Sequence, residues 1–128
     1  GVPDVLRRQK YQEIVGALQY LCTWTRPDLV FATGQLAKHM SNPGAIHMAA
    51  AVKVLRYLKG TADLGLTYHA GLPNGAVLTA WADADWATCT DNRRSYNGCI
   101  AVLAGAAVAW SSKQQTSVAT STTEAEFV

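Results

Sequence analysis

The sequence predicts an α+β fold, a helical first half followed by an antiparallel sheet. Two observations carry this. As far as Lys59, apolar residues recur at three- and four-residue spacing, the period of helices with one buried side. After Gly60 come short apolar runs separated by tight polar or glycine-containing turns, a texture that brings successive strands together as a meander.

Gly1 to Lys10 reads as a basic lead-in. Tyr11, Ile14, Val15, Leu18, Leu21 and Cys22 then mark the buried side of a first helix. Thr25-Arg26-Pro27-Asp28 stops it and starts another, because proline suits the first helical position and an acidic residue beside it favours the helix N-terminus. Val30, Phe31, Leu36, Ala37 and Met40 are the apolar side of this second helix, and Ser41-Asn42-Pro43-Gly44 is a turn. A third helix runs from about Ile46 to Lys59 and is closed by Gly60. Its expected buried stripe is Ile46, Ala50, Val54, Tyr57 and Leu58. Lys53, Arg56 and Lys59 line another side, either as a solvated face or as a ridge along a phosphate backbone.

Residues 62–76 form the expected link, with Leu64 to Tyr68 strand-like and Gly71 to Gly75 a loop. Strands follow at Val77–Ala84, Ser95–Leu103 and Ala107–Ser112, joined by a polar turn at Thr90–Arg94 and by Ala104-Gly105. Ser121 and Glu124 have the spacing of a capping box, so another helix starts there. The expected divisions are therefore 1–61, 62–76 and 77–128.

At 128 residues, 49% hydrophobic and 16% charged, the chain has the makings of a core, and its composition argues against disorder. No apolar run nears the roughly 20 residues of a membrane span, and no signal-peptide pattern opens the chain. Cys22, Cys89 and Cys99 are odd in number and form no CxxC pair. That argues against a disulfide framework or a zinc site and fits a reducing interior. The charge is lopsided: eight Lys/Arg against three Asp/Glu up to Thr61, then three against six. Such a division suits a polyanion held by the first half and a metal site in the second. Gly1 is not an initiator, and Val128 falls about one turn into the last helix, so a processed protein or a fragment is expected.

The candidate chemistry lies in two acidic clusters, Trp81-Ala82-Asp83-Ala84-Asp85-Trp86 and Thr123-Glu124-Ala125-Glu126. Two-metal phosphodiester hydrolysis needs carboxylates that hold hard cations about 3.5–4 Å apart. Asp83 sits near the end of a strand, and Glu126 lies in the first turns of a helix that must pack on the same sheet, so the two can meet. Asp85 shares Asp83's side of an extended strand, and Glu124 suits a cap. Two ordinary surface clusters have the same pattern. His39, His47 and His69 lack a Ser or Cys with matching partners, and no glycine-rich phosphate loop is present. Trp24, Trp81, Trp86 and Trp110 suit base stacking, but in so apolar a chain they read mostly as core or core-edge residues.

Taken together these stretches resemble copia-type LTR retrotransposon Pol polyproteins, at the junction of reverse transcriptase and ribonuclease H. The resemblance is carried by Tyr11–Leu21, Thr25-Arg26-Pro27-Asp28, Val54–Thr61 with Leu64-Gly65-Leu66, Ala82–Ala87, Asp91 with Arg93-Arg94-Ser95, Trp110–Gln114 and Ser121–Phe127. They run in the family's order over nearly the whole chain. The resemblance implies that residues 1–61 are the thumb-like end of the polymerase, contacting a template–primer duplex. It implies that the strands and the final helix begin a ribonuclease H-like fold. The family's first catalytic Asp maps to Asp83 and its Glu to Glu126, and these would bind Mg²⁺ and cleave the RNA of an RNA–DNA hybrid. Lys53, Arg56, Lys59, Arg93, Arg94 and Lys113 would contact nucleic acid. The implied setting is the rest of the Pol polyprotein, inside the cell, in cytoplasmic virus-like particles and the nucleus, with no membrane.

Two departures are mild: Phe127 stands where the family usually has Tyr, and Cys99 where an aromatic is common. A larger one is that the family's remaining catalytic acids and two further strands would lie beyond residue 128, and the polymerase aspartates before residue 1. The chain alone is therefore expected to be inactive. The alternatives are a non-catalytic nucleic-acid-binding relic or interaction module, and an unrelated structural α+β domain.

Overall fold

The first helix forms because its apolar residues repeat at helical spacing and nothing in its interior breaks it. In the computed structural model, which describes residues 2–71, 73, 77–85 and 96–114, α1 spans Val2–Trp24. The helix therefore begins well before Tyr11, and the basic lead-in is its first turns. Proline is tolerated there because first-turn amides have no intrahelical acceptor, and Asp4 favours the N-terminus and pairs with Arg7 at 3.5 Å. At the other end the amides of Thr25 and Arg26 both donate to the carbonyl of Leu21. A 3-10 turn at Pro27–Leu29 then leads into α2, Val30–Ala37, and α3 spans Ala45–Gly60.

Contacts divide the chain into two units, Gly1–Gly65 and Leu66–Val128. The first has a core built on α1, where Tyr11, Val15, Leu18 and Cys22 meet Leu29, Leu36 and Ala51. Fully burying a side chain such as Leu18 or Leu29 contributes about 1.5–3 kcal/mol. The core's polar atoms are partnered. The Tyr11 hydroxyl donates to the Leu36 carbonyl, and the Cys22 thiol donates to Thr33 Oγ1 at 3.2 Å. Burial pushes both the Tyr11 hydroxyl and the Cys22 thiol above their usual pKa ranges.

On α3 the expected stripe is wrong in part. Ile46 is 77% and Tyr57 46% exposed, while Met48, Ala51, Val54, Leu55 and Leu58 face the core. Phe31, expected on the buried side of α2, is also exposed. The run Met48-Ala49-Ala50-Ala51-Val52 offers two adjacent stripes of similar hydropathy, and packing on α1 selects the one containing Ala51. Nor does Gly60 end α3 in the left-handed conformation, since Gly71 and Gly105 are the described glycines with positive φ. The terminating residue is Thr61, at φ −120°.

The second unit holds a three-stranded antiparallel meander, as the short turns predict. The strands are β1 (Thr79–Asp85), β2 (Tyr96–Leu103) and β3 (Ala106–Gln114), in the order β1-β2-β3. Directly paired residues share a face, so Trp81, Ile100 and Trp110 form one row and Asp83, Gly98 and Ser112 the next but one residue along. Between β2 and β3 the register slips at Ala101/Val102, a bulge that increases local twist. The β2–β3 turn is Ala104-Gly105, with φ of 55° and 88°, the doubly left-handed turn that matches strand twist. Leu64 to Tyr68 is not a strand. Tyr68 and His69 meet the hairpin through other bonds, the His69 amide donating to the Ala104 carbonyl at 2.8 Å and the Tyr68 hydroxyl to the Ala107 carbonyl. Trp24 and Trp81 are 64% and 56% exposed, so neither is a core residue here.

Candidate functional site

Asp83 lies on β1, two residues before the strand's last described residue, with its side chain exposed. Its cross-strand partner is Gly98, with Ser112 beyond, so small groups flank the carboxylate on its face of the sheet. Asp85 pairs in register with Tyr96 at the end of the same ladder. Lys113 is exposed and belongs to the neighbouring Ala84–Asn97–Lys113 row, on the opposite face. Glu126, Glu124, Arg93 and Arg94 lie outside the described residues, as do the polar turn and the capping box. Among the described residues no three His, Cys, Asp or Glu side chains gather as a metal site would require. The described part of the chain thus offers Asp83 as one hard oxygen ligand, and by itself does not fit a pair of metal ions.

Lys53, Arg56 and Lys59 are all exposed on α3. They do not form one straight row. Each three-residue step falls about 60° short of a full turn, so Lys53 and Lys59 point roughly 120° apart around the helix. Lys53 lines a groove of about 380 Å³ between α2 and α3, walled by Leu29, Ala32, Leu36, Val54 and Tyr57. A second cavity, about 540 Å³, is lined by Arg7, Arg8, Ser41, Asn42 and His47. There His47 Nδ1 accepts the Gly44 amide at 2.9 Å, the bond that a capping box makes from the third helical residue back to the N-cap amide. The His47 ring stacks on His39 at 3.7 Å between centroids.

A connected polar cluster around Arg26 has no role of its own in the sequence pattern. Arg26 is 6% exposed and grips Asp28 with two parallel bonds, Nε to Oδ1 at 3.0 Å and Nη2 to Oδ2 at 2.9 Å. The same guanidinium reaches the end of α3, donating through Nη1 to the Thr61 carbonyl at 3.1 Å and through Nη2 to Thr61 Oγ1 at 2.7 Å. The Tyr57 hydroxyl donates to Asp28 Oδ2 at 2.8 Å, and the guanidinium carbon lies 5.9 Å from the Tyr57 ring centroid. The fork geometry makes these the strong kind of hydrogen bond. Hydrogen bonding to Arg26 holds the Asp28 carboxyl below the usual carboxylate range, and the bond to Asp28 raises the Tyr57 hydroxyl. Nothing local announces the cluster, since its partners are 35 residues apart.

No helix among the described residues is long and apolar enough to cross a membrane. In comparisons with known proteins no family model and no solved structure matches. Curated relatives do. The chain is 47% identical over 118 residues to the retrovirus-related Pol polyprotein from transposon RE2 of Arabidopsis thaliana. It is 41% identical over 118 residues to that from transposon TNT 1-94 of Nicotiana tabacum. Each match covers 92% of this chain but only 8% or 9% of the relative, so the chain spans less than a tenth of those polyproteins. It is also 42% identical over 124 residues to the secreted RxLR effector protein 161 of Plasmopara viticola, covering 96% of this chain and 85% of that one. The chain belongs to the copia-type, retrovirus-related Pol polyproteins of transposons.

Proposed function

We propose that the chain is the part of a copia-type Pol polyprotein in which the thumb-like end of reverse transcriptase runs into the first half of a ribonuclease H-like domain. The observation that carries this reading is the match of 92% of the chain to Pol polyproteins at 41–47% identity. Helices followed by an antiparallel meander, with Asp83 on the first strand, support it. The parent activity is RNA-directed DNA synthesis with removal of RNA from RNA–DNA hybrids. In that parent Asp83 and Glu126 would hold Mg²⁺, which would supply an activated water and charge stabilisation for phosphodiester cleavage. Lys53, Arg56 and Lys59, with Arg93, Arg94 and Lys113, contact the phosphates of a template–primer or hybrid duplex. On this reading Asp83 and Glu126 are half of the ligands that two-metal chemistry needs, and the 128-residue chain is inactive by itself.

A second reading has its own support, because the chain covers 85% of the effector relative. A polypeptide of nearly this extent occurs as a separate protein there, so a non-catalytic binding or interaction module is the alternative function. One experiment separates the readings. A labelled RNA–DNA hybrid is incubated with the chain and Mg²⁺, and binding is followed against salt. Salt-sensitive binding without cleavage is expected, with the log–log slope reduced by about 1 in Lys59→Ala. Cleavage abolished by Asp83→Asn would overturn the inactivity. Salt-independent binding, or none, would overturn the nucleic-acid role and leave an interaction module.

A further inference from the structure

We infer that Arg26, clasped by Asp28, is a positioning residue that caps α3 from outside the helix and fixes Lys59 for phosphate contact. The inference rests on the reading of α3 as a duplex-contacting helix. It begins from how α3 ends. Gly60, within the last turn, has low helix propensity and lacks the left-handed conformation that normally closes a helix. The Thr61 amide turns back to the Tyr57 and Leu58 carbonyls at 3.0 and 3.2 Å. The rest of the cap comes from Arg26. Its buried guanidinium takes the Thr61 carbonyl and hydroxyl, and that hydroxyl donates to the Tyr57 carbonyl at 2.8 Å. A cation at this end also opposes the negative pole of the helix dipole.

The bonds to α3 fall at residues 57 and 61, which lie on nearly the same side of the helix, about 40° apart. Lys59, midway between them, is about 160° from each and projects from the far side. The clasp therefore holds the turn from behind while its lysine remains exposed. Asp28 keeps the fork aligned through its two bonds to Arg26 and its bond from Tyr57. Lysine at position 26 would keep the charge and lose the fork.

The test is a double-mutant cycle on the full chain, reading affinity for a short labelled RNA–DNA hybrid together with amide exchange at Lys59. Arg26→Lys should speed exchange at Lys59 and weaken hybrid binding up to about eightfold at roughly 0.1 M salt, the counterion term of one phosphate contact. That loss should vanish in a Lys59→Ala background and persist in a Lys53→Ala background. A full loss from Arg26→Lys on top of Lys59→Ala would overturn the positioning role, because a merely structural residue gives additive effects. If Lys59→Ala changes neither affinity nor salt slope, the duplex reading of α3 falls and the positioning role falls with it, whereas faster exchange at Lys59 would still report the cap. Should Arg26→Lys fail to fold, Tyr57→Phe removes one bond of the clasp at an exposed site. Its smaller loss must show the same dependence on Lys59, and independence from Lys59 overturns the proposal.

Discussion

Tyr11, Val15, Leu18, Cys22, Leu29, Leu36 and Ala51 of the helical unit are buried in one cluster, whereas the described residues of the sheet bury Ala106 and Ala107. Both units are regular in backbone, yet they rest on different physics. The helices are held by interlocked side chains, with Tyr11 and Cys22 bonded inside the cluster. The sheet is defined by its ladder, its bulge and its turn, while Trp81 on the Trp81–Ile100–Trp110 row is more than half exposed. A regular ladder thus does not require a large buried side chain among the residues described. Effects of substitution should differ accordingly between the units.

The largest effect is expected from Leu18→Ala. Leu18 is fully buried on α1, and the cavity left behind costs roughly 2–5 kcal/mol. Helical ellipticity in denaturant should report the loss while sheet signals hold; simultaneous loss of both would break the comparison. Acid should act next, again on the helices. Asp28's folded pKa is depressed by Arg26, so its contribution is present above the ordinary carboxylate pKa, near 4, and is lost as pH falls through the folded value. Thermal melts between about pH 6 and pH 2 should steepen at the acid end, and Asp28→Asn should flatten that limb by lowering stability at the upper pH. The smallest effect belongs to the sheet. Ala104 carries a φ of 55°, which is costly for alanine, so Ala104→Asn should stabilise the hairpin by about 0.5–1 kcal/mol. A melting temperature of the sheet that is unchanged or lowered would show that the turn is not under that strain.

Much of the fold was legible because long periodic patterns overdetermine an element. Six apolar positions from Tyr11 to Cys22 left a single helical side for α1 to bury, and short turns left consecutive strands little choice but to pair as neighbours. Alanine-rich α3 offered no such contrast, and its stripe was settled by tertiary packing. The same limit governs the site. Asp83 could be placed on a strand from local pattern, but Glu126, its expected partner, falls outside the described residues. The Arg26 clasp was invisible because Arg26 and Asp28 look like an ordinary turn until Tyr57 and Thr61 arrive from another helix. Three-residue spacing also suggested a straight basic row, which the 3.6-residue helical turn winds around α3.

The end of α3 has a consequence for how the chain is made. A glycine cap is written beside the helix that it closes, but here the closing group was synthesised 35 residues earlier. At ordinary elongation rates Arg26 precedes Thr61 by about 2–7 s, far longer than the microsecond or less in which a helix of this size forms. That interval leaves time for α1 and the Arg26–Asp28 pair to form before Thr61 leaves the ribosome. The order of synthesis thus puts the closing group in place ahead of the turn that it closes, where a glycine cap would follow it.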